Sequence, residues 1–217
     1  MIKAFIFDLD GVIVDTVMYH YNSWVKLADK LGFQLNDSIT EKLKGISRMA
    51  SLELVLEQGG IQATEAQKIE YAKLKNDWYL ESLSGIDDVV ILNGVKDFLI
   101  DTQKLGIKTA IGSASKNAKN ILAKTTIYNS FQDIKDGNDV IKTKPDPEVF
   151  LKAADALNVL PEEAVVFEDS AKGITAAING GFKCVGIGSA ENLPDAHIVM
   201  QDLSNISAET VIKLLID

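Results

Sequence analysis

The sequence has few cysteines, few histidines and no long apolar run, and each absence excludes a class of protein. Cys184 is the only cysteine among 217 residues, so an internal disulfide is impossible and a thiolate zinc site is disfavoured. His20 and His197 are the only histidines, which excludes a histidine-rich metal site and argues against a Ser-His-Asp hydrolase. Because no apolar stretch reaches about 18 residues and no secretory signal is present, we expect a cytoplasmic protein without a membrane partner.

Basic residues are also scarce, which limits the possible partners. The chain carries 31 acidic and 22 basic residues, a net charge of −9, and we therefore expect no nucleic-acid partner. No Gly-x-x-x-x-Gly-Lys-Ser/Thr motif is present, which argues against a Walker-type ATP site. A phosphorylated small molecule remains compatible with this charge, because local cations and a metal ion set the field inside a cleft.

The order of apolar segments predicts an α/β fold with an insertion. Residues 4–7 form an apolar run typical of a strand buried on both faces of a parallel sheet. Helical patterns alone fill the next 75 residues or so, and strand and helix patterns alternate afterwards. We therefore expect a doubly wound, Rossmann-like parallel sheet built from residues 1–14 and 91–217, with a helical cap at residues 15–90.

Two aspartates follow the first predicted strand, in the sequence Asp8-Leu9-Asp10-Gly11-Val12. Residues i and i+2 of an extended chain point to the same side, so Asp8 and Asp10 can approach one centre. Two neighbouring anions need a cation, a shared proton or both. This pair is therefore a candidate active site, although aspartates at a strand end can also simply cap a helix.

Three further polar clusters are expected at the same edge of the sheet, where ligands of open parallel sheets bind. They are residues 113–117, 143–147 and 168–170, and each lies after a predicted strand or just before a helix. Carboxylates suit Mg²⁺, and lysines suit phosphate. Because an aspartate can attack phosphorus as a covalent nucleophile, the combination predicts phosphoryl transfer.

These clusters, in this order, resemble the four motifs of the haloacid dehalogenase superfamily. The resemblance implies that Asp8 is the phosphorylated nucleophile and Asp10 the general acid and base. It implies that Ser113 and Lys144 hold the transferring phosphate. It also implies that Asp8, the Asp10 carbonyl and Asp169 bind Mg²⁺, with Glu168 in or next to the metal's ligand shell.

The inserted segment contains Asp15-Thr16, His20, Trp24, Lys44-Gly45-Ile46-Ser47-Arg48, Ser51 and Lys75-Asn76-Asp77. With these residues it resembles the cap of the β-phosphoglucomutase branch of that superfamily. The resemblance implies conversion of β-glucose 1-phosphate to glucose 6-phosphate through β-glucose 1,6-bisphosphate. We also expect a monomer. It gives Arg48 to the phosphate that is not being transferred, and it makes His20 and Lys44 couple cap closure to Asp10. The implied substrate-contacting residues are His20, Trp24, Lys44, Gly45, Ser47, Arg48, Ser51, Lys75, Asn76, Ala114, Ser115, Lys116 and Asn117.

Other interpretations of these residues stay open at this point. A sugar-phosphate phosphatase could use the same nucleophile, and a phosphorylatable receiver module also pairs an aspartate with acidic metal ligands. A receiver would be about half as long and would lack the helical insert. Glu168 and Asp169 could only cap a helix, and His20 could be a packed histidine without a chemical role.

Overall fold

The computed structural model describes residues 1–216, without the side chains of Asp37 and Ile216. The strands are β1 (Ala4–Phe7), β2 (Lys108–Gly112), β3 (Asp133–Lys135), β4 (Ala164–Glu168), β5 (Lys183–Ile187) and β6 (Ile198–Met200). The α-helices are α1 (Val17–Leu31), α2 (Thr40–Leu43), α3 (Arg48–Gln58), α4 (Glu65–Ser82), α5 (Val95–Lys104), α6 (Ala118–Leu122), α7 (Glu148–Ala156), α8 (Ala171–Asn179) and α9 (Ala208–Ile216). Short 3₁₀ turns lie at Asp37–Ile39, Asp88–Val90, Tyr128–Ser130 and Pro161–Glu163.

The strands form one parallel sheet in the order β3-β2-β1-β4-β5-β6, which confirms the predicted doubly wound core. The strand before the aspartates, β1, is central, with Ala4 opposite both Lys108 and Ala164. Every residue of β1 is buried, as the unbroken apolar run predicts.

Two apolar layers cover the sheet. On one face, the rings of Phe7 and Phe167 stack with centroids 4.7 Å apart, and Phe98 of α5 packs on them. On the other face, Ile6 and Phe150 belong to a second buried cluster that helices α7 and α8 complete. Burial of these layers holds β1 rigidly, which fixes the position of the residues that follow it.

Helices α1 to α4 form the helical cap between β1 and α5, as predicted. Trp24 and Leu27 of α1 pack against Leu52 and Val55 of α3 in a third apolar cluster. The end of α4 departs from this pattern, because Tyr79 belongs to the apolar cluster of the sheet rather than to that of the cap. The proposed domain limits at residues 14/15 and 90/91 stay predictions.

The structure adds a strand that the sequence analysis did not identify. β3 has only three residues, and Ile134 is its only apolar side chain, so it lacks the pattern of a buried strand. It pairs with β2 at the sheet edge.

In the described part of the chain no helix is long and apolar enough to cross a bilayer.

Candidate active site

The four predicted clusters meet at one edge of the sheet. Asp8 follows β1, Ser113 follows β2, and Asp169 follows β4, so parallel pairing brings their side chains to the same end. Lys144 lies before α7, and its Nζ reaches Asp8 Oδ1 at 2.5 Å. The sequence prediction that these residues share one edge is therefore confirmed at the level of the fold.

Lys144 is buried between two carboxylates. The residue is 2 % exposed, and its Nζ donates to Glu168 Oε1 at 2.7 Å as well as to Asp8. Burial opposes its charge, but the carboxylates of Asp8 and Glu168 raise the pKa of Lys144 above its ordinary value. Lys144 therefore stays protonated and holds the Asp8 carboxyl in a fixed orientation.

Both carboxylate oxygens of Glu168 are already occupied by neighbouring groups. Oε1 accepts from Lys144, and Oε2 accepts from the backbone N and the Oγ of Ser170, at 2.6 and 2.8 Å. The Ser170 hydroxyl in turn accepts from Gly173 N and caps α8. Glu168 thus holds Lys144 and the start of α8 in place, and its position in or next to the metal's ligand shell stays a prediction.

Asp10 lies between the sheet and the cap. The Thr16 hydroxyl donates a hydrogen bond to its Oδ1, and His20 Nε2 lies 3.8 Å from the same oxygen. Burial raises the pKa of Asp10, and the Thr16 hydrogen bond opposes this increase. A raised pKa brings a carboxyl closer to the range in which a general acid and base can both donate and accept a proton.

The carboxylates at this edge fit a divalent cation. Burial raises the pKa values of both Asp8 and Asp169, and mutual repulsion with Glu168 adds to both increases. A Cβ on Gly11, which has a φ of +86°, would lie 2.4 Å from Asp169 Oδ2, so glycine is needed for this close approach. Among the described residues no three His, Cys, Asp or Glu side chains are grouped as metal ligands, so Asp8 and Asp169 need a further oxygen, such as the Asp10 carbonyl.

The cap contacts the catalytic edge directly. Lys44 Nζ lies 3.4 Å from Asp169 Oδ2, and Asn117 Nδ2 donates to Asn76 Oδ1 at 2.9 Å. Gly45 has a φ of +68°, and a Cβ there would lie 2.2 Å from Ser170 Oγ. Only a glycine allows the backbone to approach this closely, so residues 44–45 bring the cap against the sheet edge.

A second buried lysine, Lys75 of α4, has no carboxylate partner among the described residues. Its Nζ lies 2.8 Å from His20 Nδ1 and over the rings of Trp24 and Tyr79, at 4.9 and 4.7 Å. Burial and the nearby positive charge of Arg48 lower the pKa of Lys75 to about 7. Burial also lowers the pKa of His20, and Lys75 and Arg48 lower it further.

These groups surround a cavity of about 540 Å³ between cap and sheet, large enough for a phosphorylated sugar. The predicted residues that line it are Asp8, Asp10, His20, Trp24, Lys44, Gly45, Ser47, Arg48, Ser51, Lys75, Asn76, Ser113, Ala114, Ser115, Lys116, Asn117 and Asp169. Lys144 and Glu168 lie behind this lining, in contact with Asp8. Trp24 lines the cavity and also belongs to the apolar cluster of the cap.

The apolar part of the lining was not predicted from the sequence. Met49 and Ile69 line the cap side, and Ile141 lines the sheet side although it is almost fully exposed. The sequence does place Ile141 two residues before Thr143 of a predicted polar cluster, and this position could have indicated an apolar contact at the cavity. The role of Thr16 as the partner of Asp10 also went unassigned, because a side-chain contact between a strand end and the start of α1 leaves no pattern in the sequence.

Comparison with known proteins agrees with this geometry. Residues 5–187 match the haloacid dehalogenase-like hydrolase family. The chain is 37 % identical to a β-phosphoglucomutase of Bacillus subtilis (strain 168), over 95 % of this chain and 92 % of that protein. A crystal structure of β-phosphoglucomutase from Clostridium difficile superposes with a TM-score of 0.94 at 40 % identity, covering 99 % of this chain and 97 % of the other.

Phosphatases are also similar to this chain. A fructose-1-phosphate phosphatase from Escherichia coli (strain K12) is 29 % identical, over 84 % of this chain and 94 % of that protein. Both activities therefore occur among proteins that resemble it. The match over residues 5–187, together with the Asp8, Ser113, Lys144 and Asp169 edge, shows that the chain belongs to the haloacid dehalogenase-like hydrolase family.

Proposed function

We propose that this protein is an Mg²⁺-dependent mutase that converts β-glucose 1-phosphate to glucose 6-phosphate. The observation that carries the proposal is the presence of two cationic side chains on the cavity wall in addition to the groups around Asp8. Arg48 and Lys116 line the cavity, and within the described residues neither side chain forms an ion pair. A mutase must hold a bisphosphate by both ends, whereas a phosphatase needs to bind only one phosphate.

Asp8 acts as the nucleophile in this proposal. One of its carboxylate oxygens attacks the phosphorus, the bond from phosphorus to the sugar oxygen breaks, and an aspartyl-phosphate forms. Lys144 holds the carboxyl in place and offsets the negative charge that accumulates, and the Ser113 hydroxyl binds a phosphate oxygen. Glu168 keeps Lys144 in position through the contact at 2.7 Å.

Asp10 moves the proton in both directions. It takes the proton from the C6 hydroxyl of β-glucose 1-phosphate as that oxygen attacks the aspartyl-phosphate. It returns a proton to the C1 oxygen after the bisphosphate has reoriented and its C1 phosphate has passed to Asp8. Its place between Thr16 and His20 keeps the carboxyl near the cavity.

Mg²⁺ would be held by Asp8, Asp169 and the Asp10 carbonyl, and when bound it supplies positive charge that stabilises the transferring phosphate.

The cap residues have a different task, which is to exclude water and hold the distal phosphate. The planar guanidinium of Arg48 can bind two phosphate oxygens at once, and Ser115, Lys116 and Asn117 supply further donors. His20, Lys75, Asn76 and the 44–48 segment then surround the sugar.

The test compares two products from one substrate. β-glucose 1-phosphate is supplied with a trace of β-glucose 1,6-bisphosphate, and glucose 6-phosphate and inorganic phosphate are measured together, with the α-anomer as control. We expect glucose 6-phosphate from the β-anomer alone, with little phosphate release. Phosphate release at an equal or higher rate would refute the mutase proposal and favour a sugar-phosphate phosphatase, the activity of the E. coli relative. The cytoplasmic location and monomeric state stay predictions.

A further inference from the structure

The hydroxyl of Tyr79 is buried without a normal hydrogen bond. Its side chain is 0 % exposed, and the oxygen has no hydrogen-bond partner of normal geometry among the described residues. Leaving a buried polar group unpaired is costly, so such a group in a folded protein calls for an explanation. Phenylalanine would fill the same space without that cost.

Tyr79 lies at the joint between the cap and the sheet. It is four residues after Lys75 on α4, so the two side chains share one helix face. Its ring stacks on the His20 imidazole with centroids 3.9 Å apart, and it packs in the apolar cluster of the sheet. Tyr79 is not part of the cavity lining, so any effect on the substrate must pass through a neighbour.

The neighbour is Thr16, whose hydroxyl donates to Asp10. Burial raises the pKa of the Tyr79 phenol well above its usual value, the Asp10 carboxyl adds to this, and Thr16 lowers it. The geometry places Tyr79 in the same buried group, because its ring stacks on His20, and His20 Nε2 lies 3.8 Å from the Asp10 oxygen that accepts from Thr16. A threonine hydroxyl has one proton to donate and two lone pairs, so Thr16 can exchange one partner for another.

We propose that Tyr79 is a positioning residue that receives Thr16 when the Asp10 carboxyl turns to the sugar. In the structure Thr16 is paired with Asp10, and Tyr79 is the unpaired group. When Asp10 binds a sugar hydroxyl, Thr16 pairs with Tyr79 instead, and no buried group is left without a partner. The inference rests on the proposed role of Asp10 as general acid and base.

This exchange explains why an unfavourable hydroxyl is placed here. Without it, turning Asp10 toward the substrate would leave the Thr16 hydroxyl unpaired in a buried site, and the paired arrangement would be favoured. The hydroxyl of Tyr79 thus destabilises the resting arrangement and stabilises the reactive one. A residue with a purely structural role would stabilise the resting arrangement.

The experiment compares Tyr79→Phe, Thr16→Val and the double variant in the β-glucose 1-phosphate assay and in thermal unfolding. Tyr79→Phe should lower kcat about tenfold, the effect of about one unmade buried hydrogen bond, with KM unchanged. It should leave the Tm equal or raise it, because an unpaired hydroxyl is removed. In the Thr16→Val background the same change should have no further effect on kcat.

Tyr71→Phe provides the matched control, because Tyr71 lies two turns earlier on the same helix and packs in the cap cluster. It should leave kcat unchanged. Tyr79→Leu, which removes the ring as well, should lower both kcat and Tm, since the stack on His20 is lost. A Tyr79→Phe variant with normal kcat, with a lower Tm, or with an undiminished effect in the Thr16→Val background would overturn the proposal.

Failure of the proposed function can be recognised separately. If the wild-type protein releases phosphate instead of forming glucose 6-phosphate, the mutase proposal is wrong, but Asp10 still handles the proton in hydrolysis. The same variants are then compared on phosphate release. An equal rate for wild type and Tyr79→Phe in that assay would overturn the role of Tyr79 alone.

Discussion

Two buried lysines face opposite electrostatic surroundings in this molecule. Lys144, on the sheet side, contacts two carboxylates, and its pKa is raised. Lys75, on the cap side, contacts His20 and two aromatic rings, and its pKa is lowered to about 7. The two residues are similarly buried, at 2 % and 1 % exposed, so the neighbouring groups determine the direction in which each lysine pKa is shifted.

This difference in charge compensation separates the task of the sheet side from the task of the cap side. The sheet side compensates its own charges before any substrate arrives, so the nucleophile is already oriented. On the cap side, Arg48 and Lys75 have no carboxylate within ion-pair distance among the described residues, and the pKa values of both are lowered, so an anionic ligand would supply the missing negative charge. The largest expected effects of mutation therefore lie on the sheet side, and the changes on the cap side should be smaller or of opposite sign.

Asp8→Asn should have the largest effect. A neutral amide is a poor nucleophile, so we expect no phosphoenzyme and a loss in kcat of at least about 10⁴-fold. Mass spectrometry of the protein after mixing with β-glucose 1,6-bisphosphate measures the phosphoenzyme directly. The exposed Asp97→Asn on α5 is the control and should behave as wild type. Phosphorylated Asp8→Asn protein would show that another residue is the nucleophile.

Removal of Mg²⁺ should have the second-largest effect on turnover. Dialysis against a chelator is expected to lower turnover at least about 100-fold, because the positive charge beside the transferring phosphate is lost. Addition of Mg²⁺ should restore it. Full activity in the presence of the chelator would contradict the assignment of Asp8 and Asp169 as metal ligands.

Lys144→Met should reduce both activity and stability. The substitution leaves Asp8 and Glu168 buried without their cation, and breaking such a pair costs about 3–5 kcal/mol in the free energy of unfolding. Urea denaturation measures this loss. An unchanged midpoint would mean that the two carboxylates find another partner, and the contrast between the two lysines would then fail.

Arg48→Ala should affect substrate binding more than folding. Loss of charge-assisted hydrogen bonds to the distal phosphate should lower kcat/KM for mutase turnover about 10- to 100-fold. Arg48→Lys keeps the charge but not the planar fork, so it should recover only part of the activity. Undiminished mutase turnover in Arg48→Ala would place the distal phosphate elsewhere.

Lys75→Met should change stability with a sign opposite to that of Lys144→Met. The unfolded chain keeps a lysine protonated up to about pH 10.4, whereas Lys75 loses its proton at about 7 when folded. The unfolded state therefore binds more protons between these values, so the contribution of Lys75 to stability increases with pH.

Because methionine has no proton to lose, the variant should be more stable than wild type below about pH 7, and the gain should shrink toward about pH 10. The groups that face Lys75 are His20 on α1, Arg48 on α3 and Asp10 beyond β1, and none of them is altered. Thermal unfolding at several pH values gives the comparison. A gain that is constant with pH would show that Lys75 is not the titrating group.

The fold and the sheet side of the site were accessible from sequence because their signals are local. The apolar run at residues 4–7 and the polar residues directly after each strand predict a shared edge, and the sheet order then confirms it. The absence of strands between residues 15 and 88 likewise predicted the cap.

The remaining features depend on distances that sequence spacing does not contain. Tyr79 reads as an ordinary helical aromatic, and its stack on His20 forms across 59 positions of the chain. The resemblance left the place of Glu168 open, in or next to the metal shell, and its hydrogen bond to Lys144, 24 positions away, leaves no pattern in the sequence. Strand β3 was missed because three residues at a sheet edge need little apolar character.

The central position of β1 also determines when the catalytic edge can form during synthesis. β1 is the first strand of the chain, but its two neighbours start at Lys108 and Ala164. The cap helices between Val17 and Ser82 are complete before either neighbour has been made. The nucleophile is thus among the first catalytic groups to be synthesised and among the last to be fixed, so an unfinished chain holds Asp8 without the surroundings that make it reactive.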